Sequence, residues 1–212
     1  MPIPILSNLV NGIKEGVKAS LQGVADISTT IIEVVKNNAV NLMKQSGEFT
    51  GKGVEAAASV VKGAVAGVAD IGASFTGAIS GIVRGTVRGL TEAGEQPELA
   101  AKGAVSQAIQ SAKELGADVG QVAVEAVKGS VEAVKAVGGD SISATKETVT
   151  AAIQTAQELG SDVFQAVKTS LETSVDGAKE IIDAAIKEKP AEPVQSPQMP
   201  TQPPENPKNP QV

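Results

Sequence analysis

The residues whose types and spacing are closest to those of a chemical site are two pairs of acidic side chains, each pair spanning four positions. These pairs are Glu114/Asp118 and Glu158/Asp162. Such spacing brings two carboxylates together on a helix, as acid–base catalysis or a hard-cation site requires. At the matching earlier positions the second acid is replaced by Thr30 and Ser74, and these columns lie beside the apolar stripe. We interpret the pairs as a solvated face, and predict no catalytic, cofactor-binding or metal-binding residue and no enzymatic activity.

Composition restricts the chemistry further. The 212 residues include no Cys, His, Trp or Tyr and only three Phe. The usual zinc, haem and iron–sulfur ligand sets, thiol nucleophiles, Ser-His-Asp triads and disulfides are therefore excluded. The formal net charge is −6, with the acidic excess in the C-terminal half. Without a basic stripe or Tyr and Trp stacking platforms, nucleic acid is not an expected partner.

The elements that must position these residues form a tandem repeat. Residues 107–116 return as residues 151–160, an offset of 44, and weaker copies lie at 63–72 and 19–28. Apolar columns recur in all four copies, such as Val17, Val61, Val105 and Val149. We predict an N-terminal lead (1–6), four helical repeats (7–50, 51–94, 95–138 and 139–188) and a Pro-rich tail (189–212).

The apolar columns within a unit are spaced by about 3.6 residues, the period of an amphipathic helix. Helix-breaking residues lie at the joints between units. At the last joint, Gly138 is suited to end a helix, and Asp140 or Ser141 is suited to be the N-cap of the next helix. At the joint before it, Pro97 is suited to the first turn of a helix. The prediction is an all-α fold of four long antiparallel amphipathic helices, each about forty residues long.

The second unit departs from this pattern because glycine replaces polar residues along one helical stripe. The glycines of this unit that we predict to contact another helix or a membrane are Gly63, Gly67, Gly77, Gly81, Gly85 and Gly89. Glycine inside a helix costs about 0.5–1 kcal/mol relative to Ala, so close backbone approach to another helix or to lipid is the compensating benefit we expect. Arg84 and Arg88 would flank an interface or pair with carboxylates of the third and fourth units.

The sequence contains only a marginal membrane-spanning segment, and no secretory signal is predicted. Residues 63–83 contain one charge, Asp70, but their Gly and Ala content makes them only a marginal membrane span. The first thirteen residues carry no Lys or Arg before their short apolar stretch, so no secretory signal is predicted. We expect a cytoplasmic protein, with peripheral membrane association as the alternative.

The tail has a different composition. Eight of the last 24 residues are Pro, which predicts an extended, disordered segment. The stretch from Pro200 to Pro203 fits P-x-x-P, the pattern of a ligand for a proline-recognising module, although a simple solvated tail is the plainer interpretation.

The repeats resemble, in texture, the helices of perilipins, synucleins and exchangeable apolipoproteins. The stretches that carry the resemblance are residues 17–26, 127–138 and 144–152. A unit of 44 residues equals four segments of eleven residues, which is similar to the eleven-residue period of those families. Desiccation-protective helical proteins and granule-coating phasins share the same composition. The resemblance implies reversible coating of a lipid or other apolar surface by long, weakly amphipathic helices.

We therefore predict a non-enzymatic helical repeat protein that associates with a membrane, lipid or other apolar surface. The alternative is a soluble, self-associating helical-bundle scaffold, or a stress-protective protein, that binds partner proteins. The orientation of Gly77, Gly81 and Gly85 discriminates between them, because glycines that face another helix of the same chain favour the bundle.

Overall fold

The computed structural model describes residues 4–22, 27–46 and 53–187, and these ranges are almost wholly α-helical. Within them the chain forms nine helices, and from residue 53 onward short turns connect consecutive helices. The predicted tail from residue 189 lies outside the described residues, as do the first three residues of the predicted lead. The helices are α1 Pro4–Leu21, α2 Ile27–Ser46, α3 Gly53–Asp70, α4 Phe75–Glu92, α5 Pro97–Glu114, α6 Val119–Ala136, α7 Ser141–Leu159, α8 Ser161–Ser174 and α9 Ala178–Lys187.

Each 44-residue unit contains two helices or more, which differs from the predicted single long helix. The cause is a second set of glycine turns in the middle of the units. Gly72, Gly94, Gly116 and Gly138 follow one another every 22 residues, and all have positive φ, between 66° and 99°. In the turn after α5, the Gly116 N–H donates to the Lys113 carbonyl and the next N–H to the Ala112 carbonyl, the pattern of a Schellman motif.

Polar side chains and a proline define several helix starts. The Asp118 carboxylate accepts a hydrogen bond from the Gln121 N–H at 3.0 Å, and that of Asp140 accepts one from the Ile142 N–H at 2.9 Å. Pro97 begins α5, where its missing N–H has no helical partner to lose. The sequence-based expectations for Asp140 and Pro97 are confirmed.

The helices form two layers. Each helix packs most extensively on the helix two places along the chain, so that α1, α3, α5, α7 and α9 form one layer and α2, α4, α6 and α8 the other. Neighbours within a layer run parallel, since Gly63 lies against Ile13 and Gly67 against Val17, one turn further along both helices. Short turns connect the two layers, so consecutive helices run in opposite directions.

The core between the layers is built largely from Ala and Val, with Ile and Leu at intervals. The column Val17, Val61, Val105 and Val149 is fully buried in all four units. A column at the predicted helix centres behaves differently: Leu115 is 50% exposed because it lies at the turn after α5. The apolar spacing in the sequence therefore continues across this turn, although the helix ends there.

The marginal membrane-spanning segment, residues 63–83, is divided between two helices. α3 ends at Asp70, and α4 begins at Phe75 after the turn at Gly72. No helix in the described part of the chain combines the length and the apolar character that crossing a membrane requires.

Candidate functional site

The two predicted carboxylate pairs flank turns instead of sharing a helical face. Glu114 is the last residue of α5, whereas Asp118 is the N-cap of α6, where its carboxylate accepts the Gln121 N–H. Glu158 and Asp162 lie on either side of the turn at Gly160. Among residues 4–22, 27–46 and 53–187, no group of three or more acidic side chains is arranged to hold a metal ion. Asp118 has a structural role that accounts for its position.

Four of the six singled-out glycines lie against a neighbouring helix of the same layer. Gly63 and Gly67 face α1, where added methyl groups would lie 2.8 Å from the carbonyl oxygens of Val10 and Lys14. Gly85 and Gly89 face α2, and their methyl groups would lie 2.6 Å from the Ile32 carbonyl oxygen and 2.5 Å from that of Lys36. At these distances only glycine permits the observed approach of the two backbones.

The other two glycines have different surroundings. Gly77 is exposed in the first turn of α4, and a methyl group there would meet only the Ser74 side chain, at 3.7 Å or more. Gly81 is buried within α4. The glycine stripe is therefore not one continuous contact surface, because it begins in solvent and ends on α2.

The two arginines of α4 are half-buried at the surface. The Arg84 Nη1 atom lies 3.2 Å from the Glu132 Oε2 atom of α6, an ion pair between neighbours of one layer. Arg84 is half-buried and Glu132 is exposed, so solvent screens the pair and it contributes little to the free energy of unfolding. Arg88 pairs with no carboxylate of the described residues.

Asp70, at the C-terminal end of α3, is held by two lysines of α1. Its Oδ2 atom lies 3.0 Å from Lys14 Nζ and 3.8 Å from Lys18 Nζ. The hydrogen bond from Lys14 lowers the pKa of Asp70 below its ordinary value, with Coulombic attraction from both lysines acting in the same direction against partial desolvation. A carboxylate at a helix C-terminus opposes the helix dipole, and the two lysines offset this unfavourable placement.

Glu95 is the one charged side chain among the described residues that is buried, at 7% exposure. It follows Gly94 in the turn after α4, and its Oε2 atom lies close to Gly53, the first residue of α3. The exposed N–H groups of a helix N-terminus favour a carboxylate in this position. Sequence reasoning missed Glu95, although it is the one charged residue in a turn column otherwise filled by Ala73, Ala117 and Gly139.

Buried hydroxyl groups in the array mostly bond to their own helix. Thr86 donates to the Ile82 carbonyl at 2.8 Å, and Thr148 donates to the Ala144 carbonyl at 2.6 Å. These hydroxyl groups therefore have local partners and are not aimed at a ligand. Thr155 in α7 differs, because its hydroxyl donates to the Ser106 hydroxyl of the neighbouring helix α5 at 3.0 Å. The buried Thr91 hydroxyl of α4 has no hydrogen-bond partner among the described residues.

Two open grooves lie on the outer surfaces, one on each layer. The groove between α5 and α7 has a volume of about 480 Å³, and its lining includes Lys102, Lys146 and Glu147. The groove between α6 and α8 has a volume of about 530 Å³, and its lining includes Val124 and Thr173. Both are lined mainly by charged, hydroxyl and amide side chains.

The chain matches no protein-family model and no curated protein sequence. Its function is therefore inferred from the arrangement of its own residues.

Proposed function

We propose that this protein is a non-enzymatic α-helical repeat scaffold that binds partner proteins. The observation that carries the proposal is the direction of the glycine contacts. A helix that met lipid through its glycines would present them outward, whereas Gly85 and Gly89 lie against the backbone of α2. The surface of α4 that contains these glycines is thus already covered by another helix of the same chain.

The exposed surface supports the same proposal. The large hydrophobic side chains that are exposed in the described residues stand at helix ends: Leu115 after α5, Ile142 in the first turn of α7 and Ile186 in the last turn of α9. Scattered single hydrophobic residues of this kind are normal on a protein surface and do not form a lipid-binding stripe. Layered helical repeats instead offer extended polar surfaces and grooves on which partner proteins bind.

The partner class that the sequence favours is a proline-recognising domain. The P-x-x-P stretch from Pro200 to Pro203 lies outside the described residues, and its composition is of the kind that such domains read in the polyproline II conformation. In this proposal the helical array supplies the scaffold and the Pro-rich segment supplies the ligand.

A vesicle experiment tests the scaffold against lipid-surface association. Circular dichroism and flotation are measured for the full chain with neutral and with anionic vesicles. The scaffold proposal expects full helix content in buffer, no change on adding either vesicle, and protein that stays in the dense fraction. Flotation with a gain in helix content would overturn it in favour of surface coating.

A second experiment tests the partner class. A panel of purified SH3, WW and EVH1 domains is titrated with the full chain and with a Pro200→Ala, Pro203→Ala variant as the matched control. We expect at least one domain to bind the wild-type chain and to lose most of its affinity for the variant. If no domain binds, or if binding domains do not distinguish the two chains, the P-x-x-P stretch is not the ligand.

A further inference from the structure

Burial of side chains falls off sharply toward the C-terminal end of the array. α3, α4, α5 and α6 each contain ten buried residues, α7 contains eight, and α8 and α9 contain two each. Apolar burial is the main source of stability in folded proteins. The fourth unit, which we define as α7 to α9, therefore has fewer buried residues per helix than α3 to α6.

The close glycine contacts between neighbouring helices become fewer at the same place. A glycine lies at each close approach between neighbouring helices of a layer up to α6. Such glycines lie where α3 packs on α1 and where α4 packs on α2, Gly103 of α5 lies against Val54 of α3, and Gly129 of α6 lies against Ser80 of α4. The residues 44 positions after Gly103 and Gly129 are Glu147 in α7 and Thr173 in α8. The fourth unit thus carries larger polar side chains where the preceding helices carry glycine.

The two surface grooves lie at these replacements. Glu147 lines the groove between α5 and α7, and Thr173 lines the groove between α6 and α8. Both grooves therefore open along the junction between the third and fourth units, one on each layer. A larger side chain in place of glycine keeps the two backbones apart, which explains why grooves form at this junction.

Polar links cross the junction in the odd-numbered layer. Thr155 of α7 bonds to Ser106 of α5, and the Lys113 ammonium of α5 donates to the Leu159 carbonyl at the end of α7. The even-numbered layer keeps one close approach, where Gly120 of α6 lies against Ser170 of α8. Hydrogen bonds of this kind contribute less net stability than a tightly packed apolar contact, because water replaces them when the junction opens.

We propose that α7 to α9 act as a lid that opens and closes as one unit while α1 to α6 stay folded, with α7 and α8 covering the buried faces of α5 and α6 and α9 carried on α7 and α8. Opening breaks the Thr155 to Ser106 bond and the Gly120 contact together, and it exposes apolar surface of α5 and α6. This inference rests on the packing alone and holds whether or not the scaffold proposal is correct.

Native-state hydrogen exchange on the full chain in buffer tests the lid. We expect amides of residues 141–187 to exchange at least tenfold faster than those of α3 to α6, and the slowest amides of α7, α8 and α9 to share one rate. Uniform exchange from α3 to α9 would overturn the proposal. So would unequal limiting rates in α7, α8 and α9, because these indicate fraying instead of a single opening.

A crosslink across the junction provides the matched control. The chain contains no Cys, so Ser106→Cys with Thr155→Cys introduces a single possible disulfide where two hydroxyl oxygens lie 3.0 Å apart. Oxidation should slow exchange in residues 141–159 at least tenfold, reduction should restore the wild-type rate, and either single variant should behave as wild type. Unchanged exchange in the oxidised form would contradict the lid.

If the double variant does not fold, the wild-type chain alone decides. Exchange is then followed at rising urea concentrations below the unfolding transition. The lid requires residues 141–187 to open with a smaller dependence on urea than α3 to α6, since less surface is exposed. One shared dependence on urea for both regions would overturn the proposal.

Discussion

The close contact between α4 and α2 makes a sharp prediction for Gly85→Ala. The added methyl group would lie 2.6 Å from the Ile32 carbonyl oxygen and 2.9 Å from Val35 Cβ, well inside ordinary contact distances. Neither neighbour is the movable end of a long side chain, so the two helices must separate. Overpacking of this kind costs about 1–3 kcal/mol.

Alanine also has a higher helix propensity than glycine, and this gain offsets part of the cost by about 0.5–1 kcal/mol. The net cost is about 0–2.5 kcal/mol, and because the methyl group would meet the Ile32 backbone at 2.6 Å we expect Gly85→Ala to lower the free energy of unfolding by about 1–2 kcal/mol, within this range. For a folded region of this size the midpoint temperature falls by roughly 2–4 °C per kcal/mol, which gives a decrease of roughly 2–8 °C.

Gly77→Ala is the matched control, because it makes the same substitution in the same helix. Gly77 is exposed, and a methyl group there would meet only Ser74, at 3.7 Å or more. Propensity acts alone at this position, so the free energy of unfolding should rise by about 0.5–1 kcal/mol. The two variants are thus predicted to shift stability in opposite directions.

Urea and thermal unfolding followed by circular dichroism at 222 nm measure both variants, since the chain has no Trp or Tyr for fluorescence. The dependence on urea should stay unchanged, so that the midpoint reports stability directly. If Gly85→Ala melts at or above the wild-type temperature, as Gly77→Ala should, then α2 and α4 do not approach as closely as described. The glycine argument would then be refuted.

Three further predictions concern single side chains or turns. Because Lys14 lowers the pKa of Asp70, the ion pair stabilises the fold above about pH 4, and this stabilisation is lost as the carboxyl is protonated at lower pH. Asp70→Asn should therefore abolish that part of the pH dependence in urea titrations at pH 2.5–6. A variant whose stability depends on pH as the wild type's does would contradict this prediction. Asp118→Ala removes the N-cap bond to the Gln121 N–H and should cost about 1 kcal/mol in urea unfolding; an unchanged midpoint would show that the cap contributes nothing. Gly160 has φ 122° and ψ 166°, a region essentially reserved for glycine, so Gly160→Ala should cost about 1–3 kcal/mol, and a midpoint at the wild-type value would show that the turn relaxes freely.

The helical class and much of the core could be predicted from the sequence because the apolar period of about 3.6 residues is a local signal. Val17 and its equivalents are buried as the period indicates. The helix count could not be read from the same signal, since the period continues across the turns at Gly72 and Gly116. A glycine with positive φ ends a helix without interrupting the apolar pattern around it.

The packing partners were beyond the reach of sequence reasoning for a different physical reason. The glycine spacing indicated a close approach but did not identify the surface approached, and lipid and protein are equally compatible with it. Gly85 contacts a helix about fifty positions earlier, and Asp70 of α3 pairs with Lys14 of α1 although α2 lies between them in the sequence. Such contacts depend on how helices alternate between layers, which becomes known only when the turns are placed.

The alternation of layers also determines how this chain can change in length. The backbone repeats every 22 residues, yet similar side chains return every 44: residues 107–116 match residues 151–160 at seven of ten positions, but match residues 85–94 at only two of ten. Inserting one helix would reverse the direction of every later helix and transfer it to the opposite layer, whereas inserting a pair would leave each in place. Duplication inside the array can therefore preserve the layer and direction of every later helix only when it adds or removes helices in pairs, whereas a single helix such as α9 can be added at the end.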